Sequence, residues 1–259
     1  MAEELVRIEH LVKRFSGLVA TDDVSLSLFK GQIHAVIGPN GAGKTTLINQ
    51  LSGRLRPDSG RVIMGGQDVT YASVAARAHK GLARQFQIAS LCYGEFTVLD
   101  NVALAVQACQ GHSYRFWRDV SKDAAVVDPA MAMLKRLRIE HRADVLAVNL
   151  SHGEHRQLEL AMALATQPTI LLLDEPTAGT SHDEAARIVG LLAEIKADYA
   201  ILLVEHDMNT VFALADVITV LVNGQQLASG PPSLIRGNPA VRAVYLGEEK
   251  TQGETRQPQ

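Results

Sequence analysis

Apolar positions recur along this chain with two different periods, and the switches between them outline its elements. Val6 and Ile8, then Val24, Leu26 and Leu28, alternate with polar residues. That period-2 pattern predicts antiparallel strands with one buried face. Phe15 lies in the loop region between them and by itself reads as a core aromatic. Ile33 to Ile37 is a short, mostly apolar run that predicts a buried strand, and Thr45 to Leu51 can continue as a helix. Val62-Ile63-Met64 before Gly65-Gly66 predicts a further strand and turn.

From about residue 92 to 150 the strand patterns stop. Thr97 is placed to cap a helix carrying Val98, Val102 and Ala105. A second helix carries Ala130, Leu134 and Leu137, with Pro129 near its start, where a missing N–H does no harm. This stretch reads as an inserted helical subdomain. Strands apolar almost throughout then return at 169–173, 200–204 and 217–222. Between the first two, Ala185, Ile188, Val189, Leu192 and Ile195 recur at helical spacing, and Asn223-Gly224 marks a hairpin turn. Alternating buried strands and helices predict a parallel α/β sheet. The polar end, from Gly247 on, is expected to be disordered.

Composition narrows the classes. With 259 residues, 47% of them apolar, the chain can bury the core of one or two domains. A net charge of −3 without any Lys/Arg run argues against a dominant electrostatic role on nucleic acid or a membrane surface. Cys92 and Cys109 form neither a disulfide framework nor a zinc spacing, which favours a reducing compartment. The acidic Met1-Ala2-Glu3-Glu4 lacks an apolar signal region, and no apolar run approaches the roughly 18 residues of a membrane span. The expectation is a soluble cytoplasmic protein, with any membrane role supplied by a partner.

The strongest chemical signal is Gly38-Pro39-Asn40-Gly41-Ala42-Gly43-Lys44-Thr45-Thr46, between the predicted strand and helix. It fits the phosphate loop G-x-x-x-x-G-K-[ST]. Its glycines let successive N–H groups turn toward one anion, and the following helix N-terminus adds to that field. Lys44 would meet the β/γ-phosphates, and the Thr45 hydroxyl suits Mg²⁺. Asp174 and Glu175 end an apolar strand, where ligands of parallel sheets bind. Adjacent strand residues point to opposite sides, so Asp174 is assigned to Mg²⁺, through a water, and Glu175 to the attacking water. Glu205-His206-Asp207 ends another strand, and His206 is equally open to a structural or a functional role. Ser151-His152-Gly153-Glu154 reads as a capping box, with an anion-binding helix start as the alternative. His152 and His155 do not have the spacing of a zinc motif.

Together and in this order, these pieces resemble ATP-binding-cassette ATPases, over about residues 5 to 248. The resemblance implies a phosphate-loop NTPase (RecA-like) α/β core at 5–91 and 151–248, with an antiparallel β subdomain. It implies a helical subdomain at 92–150 and leaves 249–259 as a tail. It implies ATP and Mg²⁺ as ligands. Phe15 is similar in position to the aromatic that stacks on adenine, and Gln87 to a glutamine that contacts the metal. Leu150 to Glu154 resembles the Leu-Ser-Gly-Gly-Gln signature, which gives Ser151 and Gly153 to the ATP of a facing subunit. Glu175 matches the catalytic glutamate, and His206 a histidine on the γ-phosphate. The implied partners are a second cassette, identical or different, transmembrane permease subunits and, indirectly, a solute-binding protein; no nucleic acid is implied. The implied site is at the inner face of the cell membrane, reached through the permease.

Gly81 to Gln87, Phe96 to Val102, Leu203 to Met208 and Val244 to Glu248 are similar to the subfamily that powers import of branched-chain amino acids. Urea and amide importers have similar cassettes, and soluble cassettes acting on nucleic acid or ribosomes are a further class. The apolar stretch Leu91 to Phe96 would suit a groove for a permease helix, or packing within the helical subdomain. Five residues depart from the pattern: His152 and Glu154 in the signature, Gln85 where the subfamily often has Thr, and Ser181-His182 where the D-loop has Asp or Asn followed by Pro.

Overall fold

The computed structural model describes residues 3–85, 94–110 and 123–244. In chain order these form β1 (Glu4–Phe15), β2 (Leu18–Phe29), β3 (Gln32–Ile37), α1 (Lys44–Leu51), β4 (Ser59–Met64), β5 (Gln67–Asp68), α2 (Val74–Ala78) and β6 (Leu82–Arg84). There follow α3 (Val98–Cys109), α4 (Ala124–Arg136), α5 (His152–Ala165), β7 (Ile170–Asp174), α6 (His182–Ile195) and β8 (Ala200–Val204). The last elements are α7 (Met208–Leu214), β9 (Val217–Val222), β10 (Gln225–Gly230) and α8 (Pro232–Gly237). The chain folds as two compact units: residues up to Arg77 with those from Lys196 onward, and Ala78–Ile195.

In the first unit β1 pairs antiparallel with β2 and with β4, which continues into β5 through a tight turn. A second sheet runs β10-β9-β3-β8, with β8 and β9 parallel to β3 and β10 antiparallel at the edge. The β9–β10 turn has both Asn223 and Gly224 at positive φ, the backbone a two-residue hairpin of this twist requires. Ala35, Ile37, Ile218 and Val220 pack against Val211 of α7, Ala215 just after that helix and Ile235 of α8. The far end of α1 is locked by fully buried Arg77. Its guanidinium donates to the carbonyls of Gln50 (2.7 Å), Leu51 (2.6 Å) and Thr70 (2.8 Å). A cation on the last carbonyls of a helix complements its dipole and holds α1 in place.

Phe15 is not a core residue. It ends β1, opposite Leu18 across the hairpin, and is 46% exposed. β1 runs further than its clear alternation because its second half still pairs with β2.

In the second unit β6 and β7 pair in parallel, Leu82 with Ile170 and Arg84 with Leu172. Thr97 and Asp100 make a complete capping box at the start of α3. Val98, Val102 and Val106 of α3, Ala130 and Leu134 of α4, and Leu158, Ala161 and Leu164 of α5 are buried. Pro129 departs from its expected place. Asp123 caps Ala125 N–H and starts α4 earlier, so Pro129 falls inside the helix. It therefore removes a bond to the Ala125 carbonyl, and Gln110 Nε2 supplies the missing donor at 3.0 Å.

Candidate functional site

The first unit carries the phosphate loop. β3 delivers the chain to Gly38, and α1 begins at Gly43, whose φ of 102° is left-handed. At Gly38 a Cβ would run into the carbonyl oxygen of Leu221, and at Gly43 into that of Ala20. These two glycines are thus required by close backbone approach as well as by conformation. No side chain caps the start of α1 at Gly43, and Leu47 N–H bonds back to the Gly43 carbonyl at 2.9 Å, so the helix N-terminus faces the loop with its dipole unscreened by a capping oxygen. Gly41 is exposed, Pro39 and Asn40 line the outer turn, and the buried Ala42 anchors the loop through Gly224 N–H (3.0 Å). The Lys44 ammonium is buried and donates to the loop carbonyls of Gly38 and Pro39. Thr45 is exposed and Thr46 half-buried in the first turn. An uncapped helix start, a cradle no Cβ could share and a buried ammonium fit a nucleotide's phosphates.

At the end of β8, Glu205 is fully buried and accepts from His206 N–H at 3.0 Å. The His206 side chain is 65% exposed. Asp207 then caps α7, accepting from the N–H groups of Asn209 and Thr210. The Phe15 ring is open to solvent on one side and has the Lys13 ammonium 5.6 Å from its centroid.

The second unit carries the carboxylates. Asp174 is the last residue of β7, 4% exposed, and meets Arg84 Nη2 at 3.1 Å. Glu175 is half-buried, and its φ is 51°. Strand alternation does not reach Glu175, because β7 ends at Asp174. A left-handed turn sets the direction of Glu175 instead. That conformation costs a non-glycine residue about 1–2 kcal/mol and persists where the surroundings enforce it.

Ser151 caps α5 and forms the box read from the sequence. Its hydroxyl accepts from Glu154 N–H, and Glu154 accepts from Ser151 N–H (2.9 Å) and Arg142 (2.7 Å). Gly153 N–H and the Ser151 hydroxyl also donate to Glu184. Gln85, one of the sequence departures, is buried and ties the end of β6 to α5 through Glu159 (3.2 Å). Gln87, and the stretch that would form a permease groove, fall outside the described residues except for Gly94 to Phe96. Among the described residues no three His, Cys, Asp or Glu side chains cluster as a metal cage.

Two residues escaped the sequence reading. Arg84 is a lone charge at the carboxyl end of a short apolar strand, a position that should have drawn notice. Glu184 completes a second Ser-x-x-Glu pattern with Ser181, the same signal that identified Ser151 and Glu154.

Known proteins resemble this chain over nearly its whole length. The family described as ABC transporter matches residues 21–178, and the branched-chain amino acid ATP-binding cassette transporter family matches residues 225–251. The chain is 38% identical to the high-affinity branched-chain amino acid transport ATP-binding protein LivG of Escherichia coli, over 96% of this chain and 100% of that one. It is 34% identical to BraF of Pseudomonas aeruginosa, similarly described, over 96% and 100%. Among solved structures, a nucleotide-free ATP-binding cassette from an ABC transporter superposes with a TM-score of 0.82 at 33% identity, covering 93% of this chain and 98% of that one. The ADP conformation of the cassette MJ1267 gives 0.83 at 34%, over 94% and 99%.

Proposed function

This chain belongs to the ATP-binding-cassette transporter family, and from that premise we propose that it is the ATP-hydrolysing subunit of an importer for branched-chain or other hydrophobic amino acids. The α/β cassette fold and the ATPase class follow from the family. The observation that carries the reading is the uncapped start of α1 behind a loop closed to any Cβ at Gly38 and Gly43. The solute class rests on the names of the relatives and on the second family match.

In this reading the N–H groups of residues 39–46 and the Lys44 ammonium hold the phosphates, and Phe15 stacks on adenine. Thr45, Asp174 and Gln87 hold Mg²⁺, which supplies charge that offsets the developing negative charge in phosphoryl transfer. Glu175 orients and deprotonates water, and His206 fixes the γ-phosphate. Ser151 and Gly153 serve the nucleotide of a facing cassette, identical or different. Since only ATP presents a γ-phosphate to those donors, ATP favours the closed dimer and its hydrolysis releases it. Gln87 would relay nucleotide state to permease subunits, which bring the protein to the membrane; no described helix is long and apolar enough to cross one. The catalytic core is assigned to 5–91 and 151–248, and the helical subdomain to 92–150.

ATP turnover of the wild type against Glu175→Gln, with size-exclusion chromatography in ATP and Mg²⁺, tests the mechanism. The variant should lose at least about a hundredfold in rate and still dimerise. Equal turnover would remove Glu175 from the chemistry. Co-purification of a permease, and uptake of leucine into cells holding it, tests the solute; urea uptake instead would reassign it.

A further inference from the structure

Glu184, in the first turn of α6, bridges two helix starts with one carboxylate. Its Oε1 accepts from the Ser151 hydroxyl at 2.9 Å and from Gly153 N–H at 3.2 Å. Its Oε2 accepts from Ser181 N–H at 2.9 Å and from the Ser181 hydroxyl at 3.0 Å. The donors on Oε1 are the pair assigned above to the γ-phosphate of a facing subunit. A carboxylate oxygen and a phosphate oxygen are both anionic acceptors, and donors aimed at one anion are not available to a second. Two anions at one helix start also repel each other.

We propose that Glu184 occupies the γ-phosphate position at the start of α5, and that ATP on a facing subunit must displace it before the dimer closes. The inference rests on the assignment of Ser151 and Gly153 to nucleotide. Residue 153 is glycine for this contact: a Cβ there would stand 2.6 Å from the carboxyl carbon of Glu184. The carboxylate is firmly held as an anion. The Ser181 N–H first, then the Ser151 hydroxyl, lower its pKa to about 2.

The displacement has a consequence for the chain. Ser181 and Glu184 form the capping box of α6, and the segment before Ser181 runs back to Glu175. Pulling Glu184 away from Ser151 and Gly153 leaves it to Ser181 alone. Engagement of the start of α5 is thereby linked to the segment that positions Glu175. The Ser181 departure from the usual D-loop residue takes part in this link, because its hydroxyl is one of the groups holding the carboxylate.

The test uses the full chain with Glu175→Gln to block turnover, in ATP and Mg²⁺, by sedimentation velocity over a protein concentration series. Adding Glu184→Gln keeps the side chain's length and removes its charge. The dimer should tighten roughly tenfold, a typical coupling between two sites, while the melting temperature without nucleotide should fall. A purely structural cap would lower both. A dimer that is no tighter than the parent's, including no dimer in either protein, overturns the proposal. Ser151→Arg in the same background separates the layers. If it dimerises as well as the parent, the assignment of Ser151 to nucleotide falls, and this proposal with it. If it abolishes the dimer while Glu184→Gln tightens nothing, only the role of Glu184 falls.

Discussion

Arg84 Nη2 lies 3.1 Å from Asp174 Oδ2, and the two side chains are 10% and 4% exposed. The last residue of β6 thus supplies a cation to the last residue of β7. Removing one member of a buried pair strands the other charge, at about 3–5 kcal/mol. Arg84→Met is therefore expected to lower the urea-unfolding free energy by that order. With ATP and Mg²⁺ the loss should shrink, since a cation on Asp174 would replace the guanidinium. An equal loss with and without Mg²⁺ would argue against Asp174 as a metal ligand.

Glu175, proposed above to orient the attacking water, has a φ of 51°. Glycine accepts that backbone and alanine does not, although glycine also gains entropy when unfolded. Glu175→Gly should be more stable than Glu175→Ala by about 0.5–1 kcal/mol, and both should lack turnover. Thermal melts of the two variants, beside an ATPase assay, check this. The reverse order would mean that the turn relaxes freely.

Gln110 stands in for the N–H that Pro129 lacks, donating to the Ala125 carbonyl. Gln110→Ala should cost about 0.5–1.5 kcal/mol. With Pro129→Ala in place the helix supplies its own donor, and the Gln110 effect should fall toward zero. A double-mutant cycle by chemical unfolding reads the coupling, and additivity of the two changes would contradict the substitution of donors.

His34 is buried in β3, with Nδ1 3.1 Å from the Ser27 carbonyl and Nε2 2.8 Å from the Thr219 hydroxyl. The carbonyl can only accept, so Nδ1 carries the proton and Nε2 accepts from Thr219. Burial lowers the imidazole's pKa, against a smaller opposing effect of the Ser27 carbonyl. The folded protein therefore binds a proton less readily than the unfolded chain. The contribution of this group is fully present above the unfolded value near 6.5 and declines as pH falls below it. Unfolding free energy should drop between pH 7.5 and 5.5, and His34→Gln should flatten that drop. An unchanged slope in the variant would assign it to other groups.

The local signals determined much of this protein. A strand, a Gly-rich turn and an uncapped helix start are neighbours in the chain, so the phosphate loop was legible residue by residue, as were the caps at Thr97 and Ser151 and the Asn223-Gly224 hairpin. The apolar runs that became β7, β8 and β9 needed only their own composition.

Tertiary structure decided what depends on partners distant in the sequence. Phe15 turned outward because it ends β1 at a hairpin, beyond the last pairing of that strand with β4 at Val12, which periodicity does not encode. Pro129 entered a helix because Asp123 starts it early and Gln110 supplies a donor from another element. Glu175 left the strand's alternation because β7 stops at Asp174. Arg84 found Asp174, and Glu184 found Ser151, only when their elements packed together. Backbone pattern follows from short-range sterics and hydrogen bonding, whereas the pairing of charges and donors follows from which surfaces the fold brings into contact.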